Sequence, residues 1–235
     1  MDITEKENKL FAEWAQKDGY GNKFIKDGVP CPELFEKAKY KITFVLKESN
    51  DFDKDGSEFN KDMRIWIDEY GADKQGYTWN NITRWAQAIL DEDCEAYPHY
   101  VQTKDRFLWL KRISFMNLKK LSGGASSNSY DIEDYAKKDC KEIYEQLKIY
   151  QPDIIICCGI NLVGDSLHNY VFKYEDKWNH RYKDKYQDCC YFYTQFPEKS
   201  KKTAVLNCYH PQYAKHNQKL FDAIRYIVPE ILDNR

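Results

Sequence analysis

Four short apolar runs, each stopping at a small or polar residue, set the pattern of this chain. Lys41–Leu46 leads into Lys47-Glu48-Ser49-Asn50-Asp51, and Ile113–Met116 leads into Asn117-Leu118-Lys119-Lys120. Ile154–Cys158 leads into Gly159-Ile160-Asn161, and Thr203–Cys208 into Tyr209-His210-Pro211. Runs this short have the length of strands, and unbroken apolarity suits strands buried on both faces. Segments of helical period separate them, which is the arrangement of a parallel sheet covered by helices. The expectation is an α/β, three-layer α/β/α domain around a central, mainly parallel four-stranded sheet. Ligands of such sheets bind beyond the carboxyl ends of the strands. That rule brings Glu48, Asn117 and His210 to one crevice.

The intervening segments fill in the helical layers. Residues 4–17 read as an amphipathic helix, with Thr4 as cap and Leu10, Phe11 and Trp14 on one face. Gly19–Pro32 is turn-rich, and Glu33–Lys39 is a short helix feeding the first strand. Helices are expected over Glu58–Tyr70, over Thr78–Leu90 with Ile82, Trp85, Ala86 and Ile89 on one face, and over Thr103–Leu110. The Gly/Ser-rich stretch Ser122–Ser129 is a loop, and Asp131–Tyr150 is a long helix stopped by Pro152. Asn161–Tyr170 reads as a short helix, Cys189–Phe196 as an extra strand, and the stretch from Tyr213 to Leu232 as the terminal helix. With no repeat and no dividing linker, residues 1–235 are read as one domain, residues 1–39 forming a helical segment packed on it.

Composition narrows the partners. The formal net charge is −2, so a nucleic-acid ligand would be met by a local patch and not by a broadly basic surface. Aromatic residues are abundant, with 19 Tyr, 12 Phe and 6 Trp. No apolar run reaches the ~18 residues of a membrane span, and the N-terminus lacks the apolar core of a signal peptide. A cytoplasmic protein with no membrane partner is expected. The eight cysteines include no C-x-x-C, and Cys157-Cys158 sit on a strand where neighbours face opposite sides. Reduced thiols acting as small hydrophobes are expected, with no metal site.

The order of the motifs resembles the uracil-DNA glycosylase superfamily, most closely its small iron–sulfur-containing family 4 type. Asp139-Cys140-Lys141 through Leu147, then Pro152-Asp153-Ile154-Ile155-Ile156 and Gly159, is similar to that family's helix–strand–Gly segment. Arg112–Lys120 resembles its strand ending in Asn with a basic residue after it, and Val205–Pro211 its final strand and His-Pro motif. Phe44–Asp51 holds the place of its first motif, a strand followed by a Gly-Glu-Ala-Pro-Gly type loop. The resemblance covers roughly residues 40–230.

The resemblance implies a uracil-DNA glycosylase-like fold, DNA as partner, and hydrolysis of the N-glycosidic bond of uracil or another modified base. It implies that His210 stabilises the departing base, that Asn117 reads its polar edge, and that Phe59 stacks on it. Glu48 matches the family's Glu, and Glu48 or Asp51 would orient the water. Ser49 stands in the base-contacting loop, where better-known uracil enzymes carry a catalytic Asp and the iron–sulfur families often carry Ala. Lys119, Lys120, Lys201 and Lys202 would contact the DNA backbone.

The chain also departs from the pattern. Lys-Glu-Ser-Asn-Asp has neither Gly nor Pro, Gln212 follows His-Pro in place of Ser, and Cys140 alone matches a cluster-ligand position. No iron–sulfur cluster and no other cofactor is therefore expected, since four thiolates normally hold one. Two alternatives stand beside base excision. One is a binding module for nucleic acid or nucleotide on the same fold, with weak or no activity. The other is a hydrolase of free nucleosides or other glycosides.

Overall fold

The computed structural model describes residues 1–50, 61–72, 76–94, 96–124, 126–159, 161–174, 178–183, 186–213 and 217–235, with backbone alone at 179–183 and 186–189. In chain order the described residues form α1 (Ile3–Trp14), α2 (Pro32–Glu36), β1 (Ile42–Leu46), β2 (Ser49–Asn50), α3 (Met63–Tyr70), α4 (Gly76–Leu90) and α5 (Thr103–Leu110). There follow β3 (Ser114–Asn117), β4 (Ser122–Gly123), α6 (Ser129–Lys138), α7 (Cys140–Tyr150) and β5 (Ile154–Cys158). The chain ends with α8 (Val163–Ser166), β6 (Asn179–Lys183), β7 (Tyr186–Thr194), β8 (Thr203–Cys208) and α9 (Asn217–Asp233).

The main sheet has six strands in the order β3-β1-β5-β8-β7-β6. The expected strands are β3, β1, β5 and β8, adjacent and all parallel. The sheet is larger than the four strands expected, because the antiparallel hairpin β6–β7 extends it beyond β8.

Alternation along the strands supplies a core on each face. Ile42, Phe44, Ile154, Ile156, Ala204 and Leu206 join α3, α4 and α9 in one core. Val45, Ile155, Cys157 and Val205 join α1, α6 and α7 in the other. Cys157 and Cys158 are fully buried on opposite faces, so period-2 geometry keeps the adjacent thiols apart. The fold is thus a mixed α/β structure with helices on both faces of a mainly parallel sheet. No helix among the described residues is long and apolar enough to cross a membrane.

Several elements differ from the reading of the sequence, among them β4, where Ser122–Gly123 at the start of the expected loop pairs with β2. The cap of α1 is Asp2, not Thr4: its carboxylate accepts the Glu5 N–H at 2.8 Å, and the Glu5 carboxylate accepts the Asp2 N–H at 3.1 Å. The helix expected over Asp131–Tyr150 is broken at Asp139 into α6 and α7. The Asp139 carboxylate is fully buried, where it pairs with Lys17 at 2.7 Å and accepts the Tyr20 hydroxyl. The turn-rich segment before Pro32 also has a definite task. Ile25–Val29 runs beside β3, with the Phe115 N–H donating to Gly28 at 3.1 Å and the Ile25 N–H donating to Lys120 at 2.8 Å. It covers the edge strand of the sheet.

That segment carries Asp27 into the interior, where a charged network is assembled. Lys120 and Asp27 are both fully buried and meet at 2.7 and 2.8 Å. Asp27 also accepts the Asn117 backbone N–H at 2.7 Å and the Gln146 amide at 2.8 Å. Gln146 continues to the Tyr150 hydroxyl at 2.7 Å, and Tyr150 donates to Glu7 at 2.8 Å. Glu7 then pairs with Arg64 at 2.7 Å. Burial pushes the Glu7 carboxyl up to about 7, opposed by Arg64 and by the donors from Tyr150 and Val29. Gly28 is required here twice over: its φ is +130°, and a Cβ would lie 2.0 Å from the Glu7 carboxylate.

Two stability outcomes are expected. Lys120→Met leaves Asp27 as a buried carboxylate without its cation and lowers the unfolding free energy in urea by about 3–5 kcal/mol. A change below about 1 kcal/mol would show that the pair is not buried as described. Gly28→Ala costs about 1–3 kcal/mol from the backbone conformation alone, before Glu7 is displaced. An unchanged urea midpoint would contradict the close approach of Glu7.

Candidate functional site

The parallel strands deliver their carboxyl ends to one edge of the sheet, and a cavity of about 290 Å³ opens there. Its lining includes Glu48, Ser49, Asn117 and His210, together with Tyr77 and Gln212, while Met63 and Trp79 add apolar surface. The volume is at the small end of ligand pockets, which run from about 300 Å³ upward. The described lining includes no lysine or arginine.

Each side chain is fixed by its element. Asn117 ends β3 and is 3 % exposed. Its backbone is held by Asp27, and among the described residues its side-chain amide makes one weak contact, with the Met63 sulfur at 3.6 Å. Most of the donor and acceptor capacity of that amide is left for a ligand. Ser49 pairs in register with Ser122 in the small β2–β4 ladder, and its buried hydroxyl has no hydrogen-bond partner among the described residues. Glu48 pairs with Lys119 at 2.9 Å, and Lys119 also reaches Asp131 at 2.6 Å. The Glu48 carboxylate lies flat against Gly123, where a Cβ would come within 2.0 Å of it.

His210 follows β8 and is partly buried. The Gln212 backbone N–H donates to its Nδ1 at 3.2 Å. That bond assigns the proton of the neutral ring to Nε2, which is then a donor. Burial, and after it the charge of Lys47, pull the imidazole from 6.5 down to about 4, so the ring is neutral at physiological pH. The loop is tied from behind by Asn81, whose amide donates to the Pro211 carbonyl at 2.6 Å and to Asn217 at 3.0 Å. Arg84 in turn donates to the Asn81 oxygen at 2.8 Å.

The structure therefore brings Glu48, Ser49, Asn117 and His210 together. Asp51 and Phe59 lie outside the described residues. Three of the lysines assigned to the DNA backbone are corrected. Lys120 has no exposed side chain and is consumed by Asp27, so it cannot meet a phosphate. Lys201 and Lys202 precede the amino end of β8, opposite the crevice, about 20 Å away at ~3.3 Å per residue. Their neighbour Lys199 is bound there to Asp153 at 2.7 Å. Lys119 does stand beside the crevice, with its charge already shared by two carboxylates.

Residues that pattern alone did not mark also shape the site. Tyr77 is an aromatic at the opening, lying off the apolar stripe of α4 and next to Gly76. Its only sequence signal is an aromatic residue placed just before the run that packs. Asp27 and Asn81 act through buried contacts 90 and 130 residues distant in the chain, for which periodicity carries no signal. Among the described residues, no group of three or more His, Cys, Asp and Glu is placed to hold a metal ion.

No protein-family model and no curated protein matches this chain.

Proposed function

We propose that this chain is a DNA base-excision glycosylase of uracil-DNA glycosylase-like fold, acting on uracil or another modified base. The observation that supports it best is the pairing of a largely unengaged Asn117 amide with a neutral, Nε2-protonated His210 in one cavity whose described lining has no lysine or arginine. A phosphate or a free carboxylate ligand would call for a cation there. A nucleobase is uncharged, has a polar edge with donors and acceptors, and has a flat face for Tyr77.

In this reading the nucleotide enters the cavity unstacked from its neighbours, and Asn117 hydrogen-bonds the base edge. The bond from C1′ to the base nitrogen breaks, and its electron pair leaves with the base. The His210 Nε2–H donates to the oxygen on which that charge collects. A neutral donor suits the task, because it stabilises the oxyanion without transferring a proton to it. Water adds to C1′, oriented by the Glu48 carboxylate and by the Ser49 hydroxyl, which has no partner among the described residues, and the proton it releases passes by way of the carboxylate and solvent to the departed base anion.

A second reading is favoured by one observation. The ion pair with Lys119 engages one oxygen of the Glu48 carboxylate, leaving less of it to hold a water. A binding module on the same fold would bind DNA and release no base.

Incubation with a labelled oligonucleotide carrying one uracil, followed by alkaline cleavage of abasic sites, tests the proposal. Release of the base is expected, and His210→Ala should slow it by about 10²–10³-fold, the cost of removing one oxyanion donor. Full activity in His210→Ala would remove this mechanism. DNA binding without strand cleavage on any modified base would favour the binding module.

The pH dependence follows from the same ring. The neutral form does the work and persists down to about 4, so the rate should show no inflection near 6.5 and should fall only as pH approaches about 4. Stability runs with the same sign. The unfolded chain takes up the His210 proton below 6.5, whereas the folded chain does so only near 4, so folding weakens as pH drops through that window. His210→Asn should remove this part of the acid sensitivity in thermal melts recorded between those limits. An identical pH dependence in both proteins would show that the ring is not held neutral.

A further inference from the structure

A row of hydrogen bonds leads from the interior to His210. It begins at Arg84 on α4, whose guanidinium is 6 % exposed and keeps its proton. Its described bonds all go to neutral oxygens: the Asn81 side chain at 2.8 Å and the carbonyls of Pro98 and His99 at 2.7 and 2.9 Å. One face lies over the Tyr97 ring at 4.8 Å, and among the described residues no carboxylate pairs with it. Neutral acceptors satisfy the donors of a buried cation but leave its charge uncompensated.

That charge is connected to the crevice. Asn81 is 1 % exposed, and its amide is fully used. The oxygen accepts from Arg84, while the NH2 donates to the Pro211 carbonyl at 2.6 Å and to the Asn217 side chain at 3.0 Å. The reverse orientation is excluded, because it would set the amide oxygen against the Pro211 carbonyl and the NH2 against the guanidinium. The Pro211 carbonyl and the Gln212 N–H are the two ends of one planar peptide group, and that N–H donates to His210 Nδ1 at 3.2 Å. In a low-dielectric interior each bond of such a row polarises the next. A cation at its head draws electron density along it. The Gln212 N–H then becomes a stronger donor to Nδ1, and the Nε2–H a stronger donor into the cavity.

We propose that Arg84 and Asn81 are positioning residues for His210, joined to it through the Pro211–Gln212 peptide, and that this relay holds the ring as an Nε2–H donor aimed into the crevice. Neither residue is in the described lining of the cavity, so each acts through the ring. The inference rests on reading the cavity as a base-excision site, and it names what stands behind the donor to the departing base.

The test joins two readouts. Nitrogen-15 NMR of histidine-labelled protein, with the His210 signals assigned from His210→Asn, reports the tautomer. Single-turnover release of uracil from a labelled oligonucleotide reports the rate. The wild type should show the proton on Nε2 alone. Asn81→Leu should give mixed tautomers, and Arg84→Met should move the Nδ1 resonance toward that of an unbonded nitrogen. Both should slow release by about 10- to 100-fold, the cost of a reacting group misplaced by ~1 Å, with DNA affinity unchanged. Arg84→Lys keeps the charge and should lose less than Arg84→Met. The double variant Asn81→Leu/Arg84→Met should lose rate as the single variants do. It avoids a guanidinium stripped of its acceptor, and so keeps the result readable where a single variant does not fold. Added to His210→Ala, Asn81→Leu should cost nothing further, because a positioning residue has no effect once the group it positions is gone.

Unchanged nitrogen shifts, unchanged release, a loss of affinity in place of rate, or an equal further loss in the His210→Ala background would each overturn the inference. Failure of the glycosylase reading is seen separately. No release by the wild type, with the His210 tautomer still following Asn81 and Arg84, removes the glycosylase and keeps the relay. Release that substitutions at Asn81 and Arg84 leave unaffected keeps the glycosylase and removes the relay.

Discussion

The buried pair between the Lys120 ammonium and the Asp27 carboxylate is the constraint on which the crevice depends. Two opposite charges without solvent are tolerable only when their remaining hydrogen-bonding capacity is met by close partners. The partners of Asp27 are the Asn117 backbone and the Gln146 side chain, and those of Lys120 include the faces of Trp14 and Phe11 at 5.0 and 5.9 Å. A single interior pair thus fixes the end of β3, the covering segment Ile25–Val29, α7 and α1 relative to one another. The network continues through Tyr150 and Glu7 to Arg64 at the start of α3, the helix whose Met63 lines the cavity.

His210 is held on a separate support. Asn81 on α4 grips the loop after β8, and Arg84 one turn further on holds Asn81. Arg84 also donates to the carbonyls of Pro98 and His99 at 2.7 and 2.9 Å. The two halves of the site are therefore anchored from different layers, Asn117 chiefly through α7 and α1 on one face of the sheet and His210 through α4 on the other. Rigid support of this kind matters for a hydrogen-bond donor, because electrostatic stabilisation works only when the donor is already in place. The depressed basicity of His210 has the same origin as its anchoring, since the packing that fixes the ring also removes its water.

The charges of Glu48 and Lys119 beside the crevice are paired with one another. Glu48, Lys119 and Asp131 form a chain of contacts at 2.9 and 2.6 Å, leaving His210, Asn117 and Ser49 as uncharged polar groups. Such a lining discriminates by hydrogen-bond pattern and shape more than by charge. It fits the small formal charge of the whole chain, −2.

The four parallel strands, their burial on both faces, and the gathering of Glu48, Asn117 and His210 at one edge were all legible in the sequence. They follow from short-range pattern: strand length, unbroken apolarity, and the rule that parallel strands end on the same side. The remainder was decided by contacts between distant residues. Lys119 and Lys120 are adjacent and chemically identical, yet one stands beside the crevice with Glu48 and the other is sealed in the core by a carboxylate 93 residues earlier. Asp139 interrupts what periodicity reads as one helix, because Tyr20 and Lys17 offer its buried carboxylate partners 119 and 122 residues away. A pattern along the chain determines which face of an element is apolar. Which charge finds a partner in the interior, and which aromatic ring is left uncovered at an opening, depends on how those faces close against one another.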